Sequence, residues 1–90
     1  MDFECKRFLI SGCVQGVGFR YHTSQKAMKL GLTGYAKNLT NGQVEVVICG
    51  HSQKMVEMEQ WLQNGPKTSS VESVESECIP YQLITDFDIL

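Results

Sequence analysis

Between residues 6 and 12 apolar and polar positions alternate, with Phe8 and Ile10 on one side and Arg7 and Leu9 on the other. That two-residue period is the mark of a strand. A glycine-bearing stretch follows at 13–18, and then Phe19, Thr23, Ala27 and Leu30 recur at the spacing of one helix face. Gly31 suits the end of that helix, where a left-handed residue closes the last turn. Residues 33–39 read as a second strand, and Asn41-Gly42 reads as a hairpin turn. The turn leads into a third strand over 43–49, with Val44, Val46 and Ile48 on its apolar side. Ser52 is expected to cap a second helix with a stripe of Met55, Met58 and Leu62, which Asn64-Gly65-Pro66 ends. After a loop at 68–70, valines alternate with glutamates over 71–79 as a fourth strand, and 87–90 can add a short last one.

The order β-α-β-β-α-β predicts an α+β, ferredoxin-like sandwich: an antiparallel sheet with two helices on one face. Right-handed crossovers put the first and third strands in the middle. Ninety residues make one domain, 1–90. Matching Phe8 and Ile10 with Val46 and Val44 sets all four on the core face. The same register sets Cys5 opposite Cys49 on the other face, close enough for a disulfide. Cys78 shares the apolar side of the fourth strand with Val74 and is expected to be buried and unpaired. Trp61 and the methionines of the second helix are expected in or near the core.

Charge narrows the choice of partner. The formal net charge is −2, whereas a nucleic-acid binder usually carries a basic excess. No long apolar run suggests a membrane span, and the cytoplasm is the expected location. Thiols there normally stay reduced, which opposes the Cys5–Cys49 pairing that the register favours. The four cysteines, at 5, 13, 49 and 78, show no C-x-x-C spacing, and His22 and His51 have no ligand partner at metal spacing. Neither a metal nor a cofactor is expected.

The chemistry concentrates in Cys13-Val14-Gln15-Gly16-Val17-Gly18-Phe19-Arg20. Two glycines let a backbone turn tightly and bring its N–H groups close to a ligand. A helix N-terminus follows at once, and Arg20 adds a planar charged fork. Converging amides, a helix start and an arginine make a site for a phosphate-like anion.

These residues carry a resemblance. Gly12 to Arg20 is similar to the first signature of the acylphosphatase family: a glycine, a variable residue, Val-Gln-Gly-Val and then Phe-Arg. Gly34-Tyr35-Ala36-Lys37-Asn38, with Gly42, Val44 and Gly50, resembles its second. Leu30-Gly31-Leu32 and Asn64-Gly65-Pro66 also match family segments, so the likeness spans nearly the whole chain. It implies hydrolysis of a carboxyl–phosphate anhydride without metal or cofactor. The loop formed by Cys13, Val14, Gln15, Gly16, Val17, Gly18 and Phe19 would hold phosphate with Arg20, and Asn38 would orient the attacking water. The implied partners are a small acyl phosphate and inorganic phosphate, and a monomer is the simplest expectation. A site with no strong base suits this reaction, because a carboxylate is already a good leaving group and phosphoryl transfer needs mainly positioning and charge stabilisation.

Cys13 departs from the family pattern, where that position is commonly basic. It also raises a rival, the cysteine-dependent phosphatase, but there five residues separate cysteine from arginine and here six do. Two further alternatives stand beside the hydrolase. One is an acyl- or carbamoyl-phosphate binding module, as in the related domains of hydrogenase-maturation carbamoyltransferases. The other is a ferredoxin-like nucleic-acid binder using its open sheet face.

Overall fold

Phe8, Ile10, Val44, Val46 and Ile48 meet on one face of a sheet and are essentially inaccessible to solvent. The computed structural model describes residues 3–90. The elements run β1 (Phe3–Cys13), α1 (Phe19–Lys29), β2 (Thr33–Asn38), β3 (Val44–His51), α2 (Ser52–Asn64), β4 (Ser70–Ile79) and β5 (Phe87–Ile89). In space the strands lie in the order β4-β1-β3-β2-β5. The first and third strands are central, as the crossover rule requires.

Both helices cover the face that carries those five residues. Phe19 and Ala27 of α1 and Met55, Met58 and Leu62 of α2 complete one buried cluster, with Trp61 packed against it. Trp61 and Phe19 lie with ring centroids 6.3 Å apart. Gly42 closes the β2–β3 hairpin, its N–H donating to the Leu39 carbonyl at 3.2 Å, while Asn41 Oδ1 accepts from the Gln43 amide at 3.0 Å.

The β1–β3 register is the expected one: Phe8 opposes Val46, Ile10 opposes Val44, and Cys5 opposes Cys49. The two sulfurs are joined as a disulfide across 44 residues of chain. Closing a loop of that length contributes about 4 kcal/mol in the chain-entropy account. The bond sits with Val47 in a small second cluster on the far face of the sheet, covered by Tyr35, Ile79 and Ile84.

Four details differ from the sequence reading. The sheet is not wholly antiparallel, because β5 joins β2 in parallel, with Gly34 opposite Phe87 and Ala36 opposite Ile89. Leu90 lies just past β5 and still donates its N–H to the Ala36 carbonyl, at 2.8 Å. Ser52 is the first residue of α2; the N-cap is His51, which makes no side-chain capping bond. Cys78 is free but exposed. It pairs with Lys6 on an edge strand, and no core side chain covers it there.

The open face of β1–β3–β2 carries a charged network. Glu45 accepts from Arg7 Nε and from the Tyr35 hydroxyl at 3.0 Å, and Arg7 also reaches Glu77 at 3.2 Å. Burial, then the bond to Glu45, pushes the Tyr35 phenol above its usual value. On the other face Lys6 is raised too, first by its bond to Glu59. A group raised on folding lends stability below its unfolded pKa and loses it as pH climbs through the folded one. Stability is therefore expected to fall as pH rises past about 10. Tyr35→Phe should flatten that fall in a urea-unfolding series against pH; an unchanged slope would remove Tyr35 from the account.

Candidate active site

The loop between β1 and α1 is fixed at both ends by its own apolar residues. Val14 and Phe19 are buried in the core, so their side chains serve packing and only their backbone can meet a ligand. Between them Gly16 and Gly18 stand at φ 76° and 79°, left-handed values that an L side chain rarely adopts. A Cβ at Gly16 would meet nothing within 4 Å, so the demand there is conformational and not steric. Left-handed residues alternating with ordinary ones turn successive N–H groups toward one side, which makes an anion nest. Among the described residues no hydrogen bond uses the amides of Gln15, Gly16, Val17 or Gly18.

Gly18 is also the N-cap of α1, and the first turn of that helix contains no acidic residue. The helix's positive end therefore reaches the loop without an opposing carboxylate. Val14, Gly16, Gly18, Arg20, Tyr21 and Ile89 border a hollow of about 130 Å³ here, ample for a phosphoryl group. Arg20 Nη1 donates to the main-chain oxygen of Leu90, which sets the guanidinium beside the end of β5.

Asn38 enters from another direction. It is the last residue of β2 and pairs with Val44. Ala36, two residues before it, packs in the core on the helix-covered face, so strand alternation puts Asn38 on that same face. Its Oδ1 is buried and has no hydrogen-bond partner among the described residues. An unmet buried acceptor costs about 1–3 kcal/mol, so its retention calls for a reason.

One side chain joins the loop to the hairpin. Gln15 Nε2 donates to the Leu39 carbonyl at 2.8 Å and to the Gln43 carbonyl at 2.9 Å. On the loop's other flank Thr68 Oγ1 donates to the Val17 carbonyl at 2.8 Å.

The structure thus brings Val14, Gly16, Gly18, Phe19 and Arg20 together around one hollow. Gln15 turns its side chain to the hairpin, Val17 packs against the core and offers its carbonyl to Thr68, and Asn38 stands outside that hollow, linked to it by the Gln15 bonds. Cys13 is the last residue of β1, opposite Ser70, with an exposed free thiol outside the lining. Sequence reading missed Tyr21, Ile89, Leu90 and Thr68. Tyr21 simply follows Arg20 on α1, whereas Thr68, Ile89 and Leu90 reach the site through chain reversals that leave no local signal.

A larger hollow of about 290 Å³ lies on the open sheet face, but Glu75 and Glu77 flank its Arg7. That face would repel a phosphate, and its one arginine is already paired with carboxylates, which disfavours the nucleic-acid alternative. Among the described residues no three His, Cys, Asp or Glu side chains cluster as metal ligands, and no helix is long and apolar enough to cross a membrane.

The acylphosphatase family profile matches residues 6–89. An acylphosphatase of Vibrio parahaemolyticus is 56% identical over 90 residues, covering 100% of both chains. One from Vibrio cholerae is 62% identical over 74 residues, covering 82% of this chain and 81% of its own. The solved structure of an acylphosphatase from Coxiella burnetii superposes with a TM-score of 0.95 at 38% identity, covering 99% of this chain and 94% of that one.

Proposed function

The chain belongs to the acylphosphatase family and is a hydrolase of acyl phosphates, and from that premise we propose how its residues divide the work. The phosphoryl oxygens rest on the amides of the 14–18 loop at the start of α1. Arg20 turns its fork to the same oxygens and meets the charge that grows on them in the transition state. Asn38 holds the attacking water. Its amide both accepts and donates, and it brings no negative charge beside a phosphate dianion, as an aspartate would.

Water then attacks phosphorus in line, and the bond from phosphorus to the acyl oxygen breaks. The carboxylate leaves with that electron pair and needs no proton from the protein. The proton lost by the water passes to the phosphate it has joined. Nothing in this scheme requires Cys13, whose exposed thiol lies outside the hollow.

The observation that carries the reading is the unpartnered Asn38 Oδ1, buried on a strand whose end is bonded to the phosphate loop. The test is steady-state hydrolysis of benzoyl phosphate with chelator present. Asn38→Ala is expected to lower kcat by about 10²–10³-fold, the loss typical of one preorganised polar group. Inhibition by inorganic phosphate should be almost unchanged. Turnover equal to wild type would overturn the water-holding role.

A further inference from the structure

The hollow beside Arg20 suits the phosphoryl end of a substrate, so the acyl end must lie beyond its rim. In-line displacement decides on which side. Water held by Asn38 attacks from the hairpin side, and the bond to the acyl oxygen points away from it. That direction is the loop's opposite flank, where Thr68 holds the Val17 carbonyl and α2 leads into residues 65–69.

A second hollow, of about 500 Å³, opens on that flank between the helices. It is bordered by His22, Gln25, Lys26, Met28 and Lys29 of α1 and by Trp61 of α2. Trp61 also stands beside Phe19, which anchors the loop in the core. Gly18 is the step between the two hollows. It lines the first, and a Cβ on it would stand 3.5 Å from Cδ2 of His22, which lines the second. With only hydrogen there, the backbone forms a low sill that an acyl chain can cross.

The charge of this groove is one-sided. α1 contains no Asp or Glu, and none borders the groove. Among the described residues neither Lys26 nor Lys29 is in an ion pair, although the formal net charge of the chain is −2. Lysines in a last turn suit the helix dipole, but the dipole does not account for a carboxylate-free groove with an indole on its other wall. Each Cα–Cβ bond of a helix tilts toward the N-terminus, so both lysines lean back toward the loop. Lys26 lies one turn beyond His22, about 6 Å along the axis, within the span of a short acyl chain.

We propose that this groove receives the acyl end of the substrate and favours acyl phosphates whose acyl group carries a second anion, a carboxylate or a phosphate. The acyl chain crosses at Gly18, lies against Trp61 and sets its far anion between Lys26 and Lys29. This rests on the reading of the Arg20 hollow as the phosphoryl site and of Asn38 as the water holder. The lysines are not buried, so the preference is modest and sensitive to salt.

The test compares benzoyl phosphate with para-carboxybenzoyl phosphate, which differ only in the distal carboxylate. Lys26→Gln combined with Lys29→Gln is expected to lower kcat/KM for the carboxylated substrate by about fivefold at low salt, the scale of two exposed charge pairs. For benzoyl phosphate the same variant should stay within about twofold of wild type, because that acyl group offers the lysines no charge. Added salt should shrink the difference between the substrates. Lys54→Gln removes a lysine of α2 that does not border the groove. It should leave both substrates unchanged, which separates the groove from net charge. Equal losses on the two substrates, an unchanged preference in the combined variant, or the same selective loss in Lys54→Gln would each overturn the proposal. Should Arg20→Gln hydrolyse benzoyl phosphate normally, the reading of the hollow fails instead, by an assay in which the groove lysines take no part.

Discussion

Arg20→Gln is expected to lower kcat/KM for benzoyl phosphate by about 10³–10⁵-fold, the range by which a transition-state arginine accelerates phosphoryl transfer. Unlike the loss expected at Asn38, this one should appear in binding as well. Among the described residues Arg20 is the one cationic side chain at the rim of the hollow, so inorganic phosphate should inhibit the variant much more weakly. Glutamine keeps hydrogen-bond donors but loses the charge and the rigid fork that match two phosphoryl oxygens at once. Arg20→Lys should fall between the two, because it restores charge without the fork. The fold should not notice, since Arg20 is partly exposed and its bond to Leu90 lies at the surface. An unfolding midpoint near that of wild type, together with a collapse of kcat/KM, is therefore the expected pair of results. A loss below tenfold would remove Arg20 from the transition state.

Much of this architecture is legible in the chain. A two-residue period names the inward face of β1 and β3, and two strands facing inward together admit few registers. The pairing of Phe8 with Val46 therefore carries Cys5 to Cys49 without further information. The shape of the loop before α1, for which we propose the phosphate-holding role, is legible for a related reason, because glycines at left-handed positions and a following arginine are local facts. What escapes is whatever depends on where the sheet ends. Cys78 follows the alternation of β4 yet lies exposed opposite Lys6, because periodicity assigns a face and not the extent of the helices that cover it. β5 docks in parallel on β2 and delivers Ile89 and Leu90 to the site, a choice of edge that a three-residue strand cannot announce. Ser52 has the chemistry of a cap, but the chain enters α2 one residue earlier, at His51. The Gln15 bonds belong to the same class: the donor amide is evident in the sequence, but its acceptors are backbone carbonyls that come within reach only when the hairpin folds beside the loop.

Gly34→Ala is expected to destroy the fold while leaving every site residue in the sequence intact. Gly34 lies in β2 opposite Ile48, with φ at 145°. A Cβ there would stand 1.7 Å from the Val47 carbonyl oxygen and 2.7 Å from its carbon. Those are backbone atoms of a central strand and cannot rotate away. β3 is bonded to β1 along its length and tied to it by the Cys5–Cys49 disulfide, so β2 would have to leave the sheet instead. That would also release β5, since the Gly34 amide bonds to the Asp86 carbonyl at 2.9 Å. A cost above about 4 kcal/mol follows, in the range reserved for changes the structure cannot absorb. It would consume a large share of the stability of a domain this size, roughly 0.05–0.15 kcal/mol per residue. Gly42→Ala is the matched control. Its φ is 93° but nothing lies within 4 Å of the added carbon, so only the conformational cost of about 1–2 kcal/mol applies. Urea unfolding of the two variants separates crowding from conformation, and similar midpoints for both would refute the crowding argument. Asn38 lies at the far end of the same strand, so Gly34→Ala should abolish hydrolysis and phosphate binding together, whereas Asn38→Ala should lower only the first.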